Sequence, residues 1–156
     1  MSGPNFELIT ELQTLTRRDF YLTDPTLLNP FNANPVVDGE WLVIDTNYSL
    51  VRGSGEGTDP NVFPVFTERG RYDTQAIGKA SVLMLGMYEA HTKVVDTSGG
   101  LALGSPLTVQ DVTYQSLTRR GLKIEGVTAG RVRVGYVTKL LDGGFVRFVH
   151  FGNQKM

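Results

Sequence analysis

The chain has no cysteine among its 156 residues and only two histidines, His91 and His150. The first absence removes thiol nucleophiles, Cys-ligated zinc and iron–sulfur clusters. Neither histidine has a second His or Cys at ligand spacing, so no metal site is expected. Both fit ordinary strand positions, in Tyr88-Glu89-Ala90-His91 and Phe148-Val149-His150-Phe151. Nowhere do about 18 apolar residues run together, so no transmembrane helix is expected. Met1-Ser2-Gly3-Pro4-Asn5 has neither the basic nor the apolar stretch of a secretory signal. The protein is therefore expected to act where it is made, or to be carried out by assembly. No repeat with a period of roughly 20–50 residues suggests a solenoid or propeller. A net charge of −1 lacks the basic excess of a duplex binder, and neither a nucleic-acid nor a membrane partner is expected.

What is present is a chain rich in turn formers, with 18 glycines and 7 prolines, long enough for one domain. Its charge is unevenly placed. Residues 1–68 hold ten acids against three bases (Arg17, Arg18, Arg52), a balance of −7; residues 69–156 hold six against twelve, a balance of +6. Two readings follow. The halves interleave in one fold and neutralise each other, or an acidic segment of one copy lies against a basic surface of another.

Residues 5–18 are the best helix candidate, with Phe6, Ile9, Leu12 and Leu15 at a spacing of three and Asn5 as a cap. Thr10, Thr14 and Thr16 weaken that pattern and make an extended arm the alternative. Over 19–39, Pro25, Pro30 and Pro35 exclude helix and central strand. The aromatic and aliphatic content of this tether suits a segment lying extended along a surface. Phe20, Tyr21, Leu27, Leu28 and Phe31 are its expected anchoring contacts to a partner. Deleting residues 1–38 is expected to leave a folded β-domain that no longer binds.

From residue 40 the character becomes β, with strands expected at 41–44, 48–52, 62–66, 107–110, 122–125, 131–138 and 145–151. A longer one is expected over 78–95, bent at Gly86. Asp142-Gly143-Gly144 reads as a hairpin turn. The expected fold is all-β, a small barrel or compact β-sandwich over 40–156, preceded by an N-terminal helix or extended arm and tether over 1–39.

Chemistry-bearing patterns are sparse. Gly53-Ser54-Gly55-Glu56-Gly57 lacks the following helix and the Lys-Ser/Thr pair of a phosphate loop, and reads as a plain β-connection. Ser98 or Ser105 with a histidine lacks any nucleophile-elbow context. Arg119, Arg120, Lys123, Arg131, Arg133 and Arg147 could form a positive stripe which, with Tyr136 and Phe148, faintly resembles a single-strand stacking platform. A solvated sheet face is the commoner cause. No catalytic, cofactor-binding or metal-binding residue is assigned, and no cofactor is expected.

Gly104-Ser105-Pro106-Leu107-Thr108-Val109 is followed by Leu122-Lys123-Ile124, Val134-Gly135-Tyr136-Val137 and Asp142-Gly143-Gly144-Phe145-Val146-Arg147-Phe148. This succession resembles the β-domain of capsid decoration (cement) proteins of tailed bacteriophages, over roughly residues 79–151. The resemblance implies a non-enzymatic virion protein on the outer capsid surface, made in the host cytoplasm. It further implies a homotrimer bridging major capsid protein subunits. Tail-tube and neck or connector proteins share much of this vocabulary and are the structural alternative. A small trimeric all-β nucleotide hydrolase of the dUTPase type has similar length, but its Asp-Ser-Gly and Gly-Tyr-Arg-Gly-like motifs are missing here.

Overall fold

The structure, a computed structural model, describes residues 5–11, 14–22, 24, 27, 34–66 and 78–156. The described residues form eleven strands in two sheets and no α-helix. Six strands make the first sheet: β1 (Phe6–Leu8), β7 (Tyr88–Thr92), β11 (Val146–Lys155), β10 (Val132–Leu140), β8 (Pro106–Tyr114) and β9 (Leu117–Ile124), in that order. The second runs β5 (Val62–Pro64), β3 (Trp41–Ile44), β4 (Ser49–Val51), β2 (Thr16–Leu22) and β6 (Lys79–Leu85). A bridge between Val65 and Val82 brings β6 back against the end of β5, so this sheet curls round its own core. A second bridge, Val95 to Leu122, returns the chain after β7 to the outer edge of β9.

Period-2 alternation explains how one sheet serves two cores. Along β3, Trp41 and Val43 face the core between the sheets, while Leu42 and Ile44 face the core inside the curl. At the far edge of the same sheet β6 does the same with Leu83 and Val82. That is why 78–95 carries apolar residues on both faces. Gly86, at positive φ, makes the expected bend between β6 and β7.

Among the described residues the expected N-terminal helix is absent. Residues 6–8 instead form β1 and residues 16–18 the start of β2. Phe6 pairs opposite Thr92 and buries in the inter-sheet core, Leu15 packs at its edge, and Ile9 is exposed. An apolar spacing of three drifts around a helix and makes a weak stripe, whereas β1 gains ladder bonds and a buried phenylalanine. Leu12 lies outside the described residues.

Residues before 40 thus supply strands to both sheets. Phe20, Leu22, Leu27 and Val36 sit in the curled core beside Leu42 and Leu50. Phe20 and Leu27, expected to anchor a partner, are buried in the chain's own interior; Tyr21 is 61% exposed, with the Lys79 ammonium over its ring. Leu28 and Phe31 lie outside the described residues.

The segments at 107–110 and 122–125 are the ends of one long β8–β9 hairpin. Its turn, Gln115-Ser116, has positive φ at both residues without the usual glycine or asparagine signal. The turn at Asp142–Gly144 joins β10 to β11 as expected, Gly143 and Gly144 supplying the positive φ.

Candidate functional site

Arg119 and Arg120 are consecutive on β9 and both buried. Arg120 reaches Asp59 at 2.8 Å, Asp111 at 2.9 Å and the Gly55 carbonyl at 2.7 Å. A Cβ on Gly53 or Gly55 would collide with the Asp59 carboxylate, so the glycine-rich stretch is a β-connection shaped to wrap this ion pair. Arg119 donates to the Pro35 carbonyl at 2.6 Å and lies 3.9 Å from Glu40. Glu40, with no solvent exposure, also accepts from Arg52. Arg52 in turn donates to the Asn34 carbonyl at 2.8 Å. Arg120–Asp59 and Arg119–Glu40 join the acidic first half to the basic second half within one chain, so part of the charge asymmetry is neutralised internally.

The other cations of the expected stripe divide. Lys123 approaches Asp96 at 3.9 Å. Arg131 and Arg133 both donate to Glu125, which with Tyr136 raises the Arg133 pKa. Arg147 lies on β11, where Phe148 turns into the core and Phe151 outward. Phe148 is therefore no part of a surface platform, and Phe151 takes its place. Tyr136 meets Phe151 edge-on at 5.9 Å and carries the Arg133 guanidinium over its ring. The strand pattern Val-Arg-Phe-Val-His-Phe contains this alternation, and reading its register correctly would have selected Phe151.

The two histidines occupy different settings. His91 faces outward between Arg147, whose Nε is 2.9 Å from its Nε2, and Glu7, 3.4 Å from its Nδ1. Since the guanidinium can only donate, Nε2 accepts and the ring proton sits on Nδ1 towards Glu7. His150 is buried against Trp41 and Tyr88 at 5.3 and 5.2 Å between ring centroids. Its Nε2 meets Asn153 Oδ1 at 3.1 Å; the Asn153 amide nitrogen donates to the Pro60 and Val62 carbonyls, so Oδ1 is the acceptor and Nε2 carries the proton. Burial pushes the His150 pKa down to about 4 and the Tyr88 pKa well up. Neither candidate serine bonds a histidine: Ser98 binds Asp96, and Ser105 accepts from the Ala102 amide.

An apolar knuckle forms where residues 9–11 and 14–16 meet the β6–β7 turn. The Ile9 and Thr10 amides donate to the Glu89 carbonyl, Thr16 pairs opposite Leu85, and Leu15 packs over Gly86. Ile9, Leu85 and Met87 stand exposed there.

Among the described residues no three His, Cys, Asp or Glu are placed to hold a metal ion, and no helix is long and apolar enough to cross a membrane. No family model matches the chain, and neither curated proteins nor solved structures yield a match.

Proposed function

We propose that this chain is a virion structural protein of a tailed bacteriophage that binds the outer capsid surface and cements neighbouring major capsid protein subunits, without enzymatic activity and as a homotrimer. The observation that carries this reading is the knuckle. Leu85 and Met87 are held out by the β6–β7 turn and Ile9 by the segment bonded to the Glu89 carbonyl, so docking them requires little further ordering. Apolar groups presented in this way are contact groups for another protein. The reading gains support from the motifs behind the resemblance, which fall on β8, β9, β10 and β11, neighbours in one sheet. Anchoring passes from the tether residues to Ile9, Leu85 and Met87, with Tyr21 available beside Lys79. Many copies on a closed shell turn modest contacts into large stabilisation per particle.

The test is to separate phage particles into DNA-filled heads, tails and free protein, and to detect this chain by mass spectrometry. Its presence on tailless heads supports the reading. Confinement to tails favours the tail or neck alternative, and absence from both particles overturns the structural role. On heads, Leu85→Asp/Met87→Asp should abolish attachment while leaving the fold unchanged.

A further inference from the structure

β10 and β11 contain no aspartate or glutamate, and between them carry Arg133, Lys139, Arg147 and Lys155. The register puts Lys139 directly opposite Arg147. Like charges directly opposite on adjacent strands are destabilising, so an isolated sheet gains nothing from this pairing. Among the described residues the only polar partner of Arg147 is the His91 ring, and Lys139 forms no ion pair. Lys93 on the neighbouring edge holds its ammonium over the Phe145 ring rather than beside a carboxylate. The same outer face presents Phe151, 51% exposed, six positions along from Phe145. At about 3.3 Å per residue the two rings lie roughly 20 Å apart, with the Arg147–Lys139 pair between them.

We propose that the outer face of the β10–β11 hairpin binds single-stranded nucleic acid, Arg147, Lys139 and Lys93 contacting phosphates and Phe151 stacking on a base. Tyr136 and Phe145 act as rests that hold Arg133 and Lys93 in place through cation–π contact. A strand of bases suits this face better than an acidic protein because the cations alternate with an open ring along one line, the pattern that tracks a phosphodiester backbone. On the neighbouring strands Glu7 stands opposite His91 and Glu89 opposite Val149 on this same outer side, so the three cations Lys93, Lys139 and Arg147 outnumber two carboxylates there, while several other arginines are consumed by buried pairs. Phe151 lies one step beyond the His150–Tyr88 pair and so adjoins Met87 of the knuckle, but the test uses the isolated protein without capsids, so its failure leaves the capsid reading untouched.

The experiment is fluorescence anisotropy with a labelled thymidine oligonucleotide of about 15 nucleotides. Three phosphate contacts on a single strand predict a weakening of about 20-fold between 50 and 200 mM salt. Lys139→Gln/Arg147→Gln should weaken binding at least about 10-fold, and Phe151→Ala at least about 5-fold, with melting temperatures within a few degrees of the parent. Should Phe151→Ala unfold the chain, Phe151→Leu keeps the packing and removes the stacking ring. No binding at 0.1 mM protein and low salt overturns the proposal. It is equally overturned if base-free polyphosphate binds as tightly as the oligonucleotide and the Phe151 variants are silent, which would mark a general site for anionic partners.

Discussion

Arg52 clasps Glu40 with two bonds, Nε to Oε1 at 2.5 Å and Nη2 to Oε2 at 3.1 Å, and the carboxylate it holds is wholly buried. The Val37 amide and the Arg119 guanidinium face the same carboxylate. A buried charge partnered this closely is costly to break from one side, because the remaining arginines lose their counter-charge. Glu40→Ala should lower the unfolding free energy by about 3–5 kcal/mol in urea melts. Replacing both Glu40 and Arg52 by methionine should cost less than the single change. A single-variant loss below about 1 kcal/mol would show that the pair is not holding the tether in place.

His150 makes stability depend on acid in a specific window. Its pKa is about 4 in the fold against 6.5 for a free histidine, so the unfolded chain takes the proton first as pH falls. Its contribution is complete above about 6.5 and is lost progressively towards 4. The full difference is about 3 kcal/mol. Carboxylates titrate near the lower end, so the readout is the difference from His150→Gln. That variant should lose less stability between pH 7 and pH 4.5 than the parent in paired thermal melts, and parallel pH profiles would disprove the account.

Gly135 on β10 approaches Val149 on β11 so closely that a Cβ would collide with the Val149 carbonyl oxygen. Backbone cannot step aside as a side chain does, so Gly135→Ala should cost about 3 kcal/mol or more. Gly126 has nothing near its Cβ position, and Gly126→Ala should stay within about 0.5 kcal/mol of the parent. Equal effects for the two would refute the close-approach explanation.

Removal of residues 1–38 would take Phe6, Phe20, Leu22, Leu27, Val36 and Val37 out of the interior, together with the strand between β4 and β6. Each of these side chains contributes about 1.5–3 kcal/mol by burial, so together they rival the whole stability of a typical domain, about 5–15 kcal/mol. The truncated chain should therefore lack a cooperative melt and dispersed amide NMR signals. A folded truncation would restore the picture of a separable arm.

Several features were legible without coordinates because their causes are local. The Asp142-Gly143-Gly144 turn and the bend at Gly86 follow from what glycine permits. Other features depended on partners distant in the chain. Thr16–Leu22 looks like the end of a helix or arm and the start of a tether until β4 and β6 flank it. Gln115-Ser116 carries no standard turn signal, so one hairpin looked like two short strands. Asn153 had no mark as the partner of His150.

By itself the sequence determined the all-β class, the glycine turns at Gly86 and Asp142–Gly144 and the division of charge between its halves, since alternation, glycine placement and composition act within a few residues. The tertiary structure alone decided that Phe20 and Leu27 are core, that Arg119 and Arg120 are internal, and that Arg147, Lys139 and Phe151 share an open face. Strand pairing and burial join residues far apart in the chain, and no local preference encodes which distant strand will complete a ladder.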